Sequence, residues 1–206
     1  MQRKRVAIVL FNEVEVLDFA GPFEVFLAVR LNETKRREEL SPFEVLTVAE
    51  GGRPITASGG LRVIPDHSFE SCPALDILVV PGGWGTRREL QNRTMLDWLK
   101  ARAAEVELLT SVCTGAMLLG FAGLLDGLDA TTHWKSLDWM RDSFPAVRVA
   151  CDQHVVENER VITSAGISAG IDMALKVVAR CCGEAVARST ARHMEYPYPE
   201  ANSRRV

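Results

Sequence analysis

Short runs of aliphatic residues alternate along this chain with segments whose apolar residues recur at helical spacing. The runs at 6–11 and 75–80 are almost uninterrupted by polar residues, which is typical of parallel strands buried on both faces, and a further strand is predicted at 106–112. Gly21 and Pro22 then introduce helical spacing over 23–31, so the first run and this segment form a strand–loop–helix unit. Strands that alternate with helices predict an α/β fold, a doubly wound and mostly parallel sheet flanked by helices.

The same patterns extend over the rest of the chain. Further strands are predicted at 43–48, 147–157 and 160–164, and further helices at 93–104, 114–125, 134–144 and 167–182. A β-hairpin insertion beside the main sheet is predicted over 53–65, with Gly59 and Gly60 at its centre. Because no repeat or linker interrupts the pattern, we expect a single domain over 1–206 that ends in an irregular tail from Glu195 onwards.

Composition and charge exclude several classes of function. With 24 Lys and Arg against 27 Asp and Glu, the net charge of −3 gives no long-range attraction for nucleic acid or anionic lipid. No stretch reaches the roughly 18 apolar residues of a membrane span, and acidic residues stand where a signal peptide would be cleaved. Five scattered cysteines without ligand spacing fit a reducing cytoplasm and predict no metal site. We therefore expect a small-molecule partner, and neither nucleic acid nor membrane.

Cys113 is the strongest candidate for a catalytic residue. It follows a buried strand and precedes small residues and a helix, which is the arrangement of a nucleophile elbow, with Gly115 leaving room for a backbone crossing. A helix N-terminus favours the thiolate, so this pattern predicts a lowered pKa and a thiol ionised near neutrality. The alternative is a small buried thiol that packs under a turn.

Asp18 is the second candidate. It lies between the first strand and its helix, and loops of this kind gather at the carboxyl edge of an open α/β sheet, where Asp18 can meet Cys113. Because Leu17 and Phe19 flank it, its carboxyl is expected to be desolvated and able to hold a proton. The alternative is that Asp18 caps the helix that Gly21 and Pro22 open.

His133 follows Cys113 in the chain and stands beside Trp134. It could orient or deprotonate the thiol. The alternative is a capped histidine of the core at a strand-to-helix junction. The remaining histidines have no partners at ligand spacing, which again predicts no metal site.

Two glycine-rich segments border the expected site. The segment with Gly82, Gly83 and Trp84 lacks the pattern of a P-loop or a dinucleotide site, and its backbone amides are better suited to an oxyanion hole that faces Cys113. The segment around Ile167 either allows close helix–sheet packing or borders the pocket.

In this combination the chain resembles the ThiJ/PfpI superfamily, whose fold is flavodoxin-like and similar to class I glutamine amidotransferases. Five motifs carry the resemblance, in the order 17–22, 81–83, 111–115, 130–134 and 166–172. The residues of these motifs are most similar to those of isocyanide hydratases and of the ligand-sensing half of AraC-type regulators. For the hydratases the resemblance implies that Cys113 attacks the isocyanide carbon, that Asp18 donates and accepts the proton, and that water releases an N-substituted formamide. It also implies a homodimer that needs no cofactor.

Three departures separate this chain from other branches of the superfamily. PfpI-type peptidases carry His directly after the nucleophile, where this chain has Thr114, so we expect Thr114 to serve in a site that is not proteolytic. Glyoxalase and deglycase branches favour Glu in the role of Asp18. The regulators continue into a helix-turn-helix domain, whereas this sequence stops at Val206. Two hypotheses remain, a cysteine-dependent hydratase and a non-catalytic ligand or redox sensor, and another activity of the superfamily is the further alternative.

Overall fold

A computed structural model describes residues 3–205 and contains a seven-stranded sheet. Its strands are β1 (Lys4–Leu10), β2 (Phe43–Ala49), β5 (His67–Ser68), β6 (Ile77–Val80), β7 (Leu108–Val112), β10 (Val155–Glu157) and β11 (Val161–Ser164). Their order in the sheet is β10-β11-β7-β6-β1-β2-β5, and neighbouring strands are parallel except for the antiparallel pair β10–β11. This arrangement confirms the predicted fold class.

The centre of the sheet explains the uninterrupted apolar runs. Strand β1 lies between β2 and β6, with Val6 opposite Val45 on one side and Ile77 on the other. All four residues of β6 and all five of β7 are buried. A strand covered on both faces has no solvent side on which a polar residue would be preferred, so the period-2 alternation disappears.

Two small sheets flank the main one. Strands β3 (Ile55–Thr56) and β4 (Arg62–Val63) pair antiparallel, which is the predicted hairpin. Strands β8 (Asp129–Ala130) and β9 (Arg148–Val149) pair parallel. The prediction of one strand over 147–157 was wrong, because β9 and β10 belong to different sheets and exposed residues separate them.

The seven helices found within residues 3–205 are α1 (Val16–Ala28), α2 (Thr86–Glu89), α3 (Arg93–Glu105), α4 (Gly115–Phe121), α5 (Leu137–Ser143), α6 (Ala169–Cys182) and α7 (Glu184–His193). Six of them form two packed groups, one of α1, α6 and α7 and the other of α2, α3 and α4. A 3₁₀ turn, Trp134–Ser136, precedes α5. No helix in the described part of the chain is long and apolar enough to cross a membrane.

Two helices differ from the sequence prediction. Helix α1 begins at Val16, so Pro22 lies inside it rather than in its first turn. Helix α7 was not predicted, because the residues that it buries are Ala187, Thr190 and Ala191, which leave no stripe of large apolar side chains. The tail beyond α7 has no helix, as predicted, but it returns to the body of the molecule, where Tyr196 Oη donates to the Oδ1 atom of Asp172 at 2.8 Å.

Candidate active site

Cys113 occupies a sharp turn between β7 and α4. Its φ of 56° lies in the left-handed region, which non-glycine residues adopt rarely and which is common at functional sites. The turn is possible because a Cβ atom on Gly115 would stand 2.0 Å from the carbonyl oxygen of Val80, so only glycine fits at this crossing. The strand, turn and helix form the predicted nucleophile elbow.

Hydrogen bonds from two neighbouring loops hold the elbow in place. The Cys113 N–H donates to the carbonyl oxygens of Ser164 and Ala165, at 3.2 and 3.1 Å. The Thr132 hydroxyl donates to the Cys113 carbonyl oxygen at 2.8 Å. The position of the sulfur is therefore fixed by the loops that follow β8 and β11 as well as by its own strand.

Asp18 lies in the first turn of α1 and is fully buried. Its Oδ2 atom accepts the N–H of Gly82 at 3.0 Å, and its Oδ1 atom is buried without a hydrogen-bond partner among residues 3–205. The cap position of α1 belongs to Glu15, so both the placement of Asp18 in a loop and its alternative role as a helix cap were wrong. The helix begins earlier than predicted and carries the carboxyl inward.

Asp18 and Cys113 influence each other's protonation. Burial raises the pKa of Asp18 to about 8, against the opposing hydrogen bond from Gly82. Burial also raises the pKa of the Cys113 thiol well above its usual range, and the charge of the Asp18 carboxylate raises it further. Asp18 therefore holds a proton at neutral pH, as its predicted desolvation implies.

The lowered pKa predicted for Cys113 was wrong. Hydrogen bonds from the backbone and hydroxyl of Thr114 do lower the pKa of this thiol, as expected at a helix N-terminus, but burial outweighs them. The thiol is only 6% exposed, so its charged form loses most of its hydration. At neutral pH the pair of Asp18 and Cys113 carries both protons.

Two of the three amides expected to form an oxyanion hole already have acceptors. Gly82 donates to Asp18, and Gly83 donates to the hydroxyl oxygen of Thr114 at 3.0 Å. Thr114 thus links the glycine loop to the elbow, and the Thr86 hydroxyl donates to it at 3.2 Å. An oxyanion hole in this loop therefore stays a prediction, and neither the Gly82 nor the Gly83 amide is free to contribute to it. The Trp84 N–H has no acceptor within the described residues.

His133 lies beside Cys113 but is occupied as a cap. Its Nδ1 atom accepts the N–H of Lys135 at 3.3 Å, which caps the 3₁₀ turn. Burial lowers its pKa, and the charges of Lys135 and Arg204 lower it further. Gly166 separates the two side chains, since a Cβ atom there would stand 2.2 Å from His133 Cδ2 and 3.1 Å from Cys113 Sγ. This geometry favours a neutral, capped histidine in the wall of the site.

A cavity of about 280 Å³ opens above the elbow. The residues that line it are Glu15, Gly83, Trp84, Arg87, Cys113, Thr114, His133, Lys135, Ser136 and Ile167. Of the residues predicted for the site, six line this cavity and two, Asp18 and Gly82, do not. The six are Cys113, Gly83, Trp84, Thr114, His133 and Ile167.

Sequence reasoning missed the polar residues of this wall, namely Glu15, Arg87, Lys135 and Ser136. Arg87 follows Trp84 by three residues, and its guanidinium carbon stands 4.0 Å from the indole centroid. The sequence does contain a signal for Arg87: an arginine three residues after a tryptophan that directly follows a glycine loop.

A second, larger crevice of about 570 Å³ lies near the carboxyl ends of β1 and β2. Its buried acid, Glu89, is paired with Arg88 at 3.0 Å and accepts from Asn92 at 2.9 Å. Its lining contains no thiol, so the Cys113 cavity remains the candidate site. Within residues 3–205 no group of three or more His, Cys, Asp and Glu side chains is arranged to hold a metal ion.

Comparison with known proteins shows the family to which such a chain is similar. The profile of the DJ-1/PfpI family matches residues 4–180. Isonitrile hydratase of Pseudomonas putida is 35% identical over 97% of this chain and 82% of its own length. The HTH-type transcriptional regulator GbdR of Pseudomonas aeruginosa is 35% identical over 76% of this chain, but the match spans only 43% of the regulator.

A solved structure agrees with these matches. A ThiJ/PfpI family protein from Pseudomonas syringae superposes with a TM-score of 0.84 at 31% identity. The superposition covers 98% of this chain and 79% of the other.

Proposed function

Since this chain belongs to the DJ-1/PfpI family, we propose that it is a cysteine-dependent hydratase that converts a small organic isocyanide, also called an isonitrile, into an N-substituted formamide. The similarity to isonitrile hydratase supports the proposal because it extends over 97% of the chain. The same family includes proteins of other functions, so the proposal depends on the chemistry of the site itself.

One observation carries the proposal: a carboxyl that keeps its proton at neutral pH lies beside the nucleophilic thiol. An isocyanide carbon needs both a sulfur nucleophile and a proton. A side chain whose pKa lies near the working pH is the best general acid, because it is largely protonated and still gives up the proton readily. Asp18, with its pKa raised to about 8, meets this requirement.

In the first half of the reaction, Cys113 Sγ forms a bond to the isocyanide carbon. The carbon takes the proton of Asp18, and the thiol proton replaces it on the carboxylate, so the thiol adds across the carbon and leaves a thioimidate. Because the carboxyl interacts with the sulfur itself, a carbon bonded to that sulfur comes next to the acid.

In the second half, water attacks the thioimidate carbon. One water proton moves to the imine nitrogen, and the carbon–sulfur bond breaks as the carbonyl forms. The second proton reaches the leaving sulfur through Asp18, which restores the thiol. The balance is one isocyanide and one water consumed for each formamide released. His133 contributes to the shape of the wall in this scheme rather than to the proton transfer, because its Nδ1 atom is already an acceptor.

The alternative is a ligand sensor without turnover, which the similarity to the regulator GbdR over 76% of the chain supports. A redox sensor has less support, because oxidation follows thiolate character and burial raises the pKa of Cys113. Turnover separates the hydratase from either sensor.

We further propose that the protein acts as a homodimer, in line with the commonest closed symmetry, and in the cytoplasm. All five cysteines are free, which suits a reducing compartment. Light scattering tests the assembly: a mass of about 23 kDa at micromolar concentration, the size of one chain, would exclude the dimer.

The proposed activity is tested by a turnover screen. Purified wild type and Cys113→Ala are incubated with small alkyl and aryl isocyanides, 2-oxoaldehydes and peptides, and the products are identified by chromatography. The hydratase predicts a formamide from wild type alone. If no isocyanide is converted while the fold is intact, the hydratase proposal is wrong, and product from another substrate would identify a different activity.

A further inference from the structure

Two cations line the Cys113 cavity without an acidic partner. Arg87 and Lys135 both border the cavity, and neither forms a salt bridge within residues 3–205. The acid of the same wall, Glu15, accepts the Ser58 hydroxyl at 3.2 Å and so is engaged with the hairpin. The cavity lining therefore carries two cations and one carboxylate, and neither cation is ion-paired with that carboxylate.

Aromatic rings hold the Arg87 guanidinium in place. Its central carbon lies 4.0 Å from the Trp84 ring centroid and 5.6 Å from that of Trp139. Stacking of this kind uses the face of the guanidinium and leaves its N–H edge free. A planar edge with two parallel donors is the group that binds a carboxylate in bidentate fashion.

Lys135 supplies a second cation on the neighbouring wall. Its Nζ atom lies 5.0 Å from the Trp134 ring centroid, and its backbone N–H donates to the Nδ1 atom of His133. The charge of Lys135 lowers the pKa of His133, so its field reaches the wall beside the sulfur. The two cations therefore act on the same small space.

We propose that this cavity selects substrates that carry a carboxylate, with Arg87 as the main recognition residue and Lys135 as the second cation. The inference rests on the proposed function, since it names the substrate class of the same site: an isocyanide whose substituent ends in a carboxylate. The cavity volume of about 280 Å³ is that of a site for a small organic molecule.

The test uses two alkylating reagents of nearly equal size, iodoacetate and iodoacetamide, which differ in charge. In each case the Cys113 thiolate forms a bond to the CH₂ carbon and iodide leaves. Rates are measured by mass mapping of the Cys113 peptide and are divided by those of 2-mercaptoethanol, a neutral thiol. Because both reagents react with the same thiolate, their rate ratio is independent of the thiol pKa.

We expect wild type to favour iodoacetate relative to the free thiol. Arg87→Gln should lower the ratio about fivefold, the effect of one unit charge at close range near water. Lys135→Gln should lower it by less, and Arg93→Gln, an exposed arginine on α3 that does not line the cavity, should leave it unchanged. An unchanged ratio in Arg87→Gln would overturn the proposal, as would an equal fall in Arg93→Gln, which would indicate an effect of net charge alone.

A second measurement separates this inference from the proposed function. The kcat/KM for isocyanoacetate is compared with that for its neutral methyl ester, in wild type and Arg87→Gln. A preference for the anion that Arg87→Gln removes supports both proposals. Turnover of both compounds without preference supports the hydratase and contradicts the charge selection. Selective alkylation by iodoacetate without any turnover supports the charge selection and contradicts the hydratase.

Discussion

The Asp18 carboxylate acts directly on the Cys113 thiol, although one residue lies on the first helix and the other on the turn after β7. The carboxylate charge raises the pKa of the thiol, whereas the hydrogen-bonding interaction with the thiol lowers that of the carboxyl. The two groups therefore titrate as a pair, and a change in either one alters the protonation of both.

Asp18→Asn should lower kcat for isocyanide hydration by about 10²–10⁴-fold, the usual contribution of a placed acid or base. Cys113→Ala should abolish turnover. His133→Asn serves as the matched control, because asparagine is a good cap and can still accept the N–H of Lys135. Formamide production is measured for the three variants, and the loss should be greatest in Cys113→Ala, smaller in Asp18→Asn and smallest in His133→Asn. Full activity in Asp18→Asn would remove Asp18 from the proton route.

The activity should fall as pH rises through about 8, where Asp18 loses its proton. The asparagine variant has no titrating group at this position, so its residual activity should lack this descending limb. The check is a pH profile of kcat/KM for both proteins between pH 6 and about 9.5, because kcat/KM reports the groups of the free enzyme. The same limb in both would assign the titration to another group.

Asp18 should also make the fold less stable at alkaline pH. Its pKa is raised from the ordinary 3.8 to about 8 in the folded protein, so the folded state binds more protons between these values. The resulting stabilisation is complete below pH 3.8 and is lost as pH rises through about 8. The free energy of unfolding of wild type should therefore fall by on the order of 3 kcal/mol more than that of Asp18→Asn between pH 5 and 8. Urea titrations at the two pH values measure this difference, and parallel curves would contradict it.

The pKa of the Cys113 thiol should be lower in Asp18→Asn than in wild type. At the alkaline pH where the thiol ionises, Asp18 is charged and opposes the thiolate, whereas an amide carries no charge. The pH dependence of iodoacetamide labelling at Cys113 measures the shift. Glu15→Gln is the control, because it removes a nearby carboxylate whose charge raises the pKa of Asp18 and is not among the causes that shift the pKa of the thiol. A thiol pKa that rises in Asp18→Asn would contradict the repulsion.

Gly166→Ala should damage the site more than the fold. The added Cβ atom would meet His133 Cδ2 at 2.2 Å and Cys113 Sγ at 3.1 Å, and overpacking of this kind costs about 1–3 kcal/mol. We expect this substitution to lower the rate of Cys113 labelling and the turnover as well as the stability. Gly59→Ala is the matched control: no atom stands within 4 Å of its Cβ position, and its φ of +70° adds strain of about 1–2 kcal/mol, so only stability should fall. An equal loss of turnover in both would show that general destabilisation is responsible.

The sequence was sufficient to predict the sheet and the elbow, because these depend on local patterns. Buried parallel strands show continuous apolar runs, and the order strand, Cys113, Gly115, helix reflects a crossing that only glycine permits. The helix α7 escaped prediction because its buried face consists of small and polar residues.

The protonation state of the site could not be predicted from the sequence. The helix N-terminus at Thr114 is visible in the residue pattern, and it does lower the pKa of Cys113. The burial that outweighs it arises when α1 and the glycine loop close around the sulfur. The hydrogen bond of Gly83 to Thr114, which removes an expected oxyanion donor, likewise exists only in the folded protein.

The left-handed backbone at Cys113 affects which substitutions this position accepts in evolution. With φ at 56°, this position would be occupied without strain by glycine, which has no Cβ atom. In a lineage without selection for the chemistry, the single substitution Cys113→Gly would thus remove the backbone strain, and it would remove the nucleophile as well. Retention of a thiol at this position in a set of descendants would therefore indicate continued selection on the reaction and not on the fold.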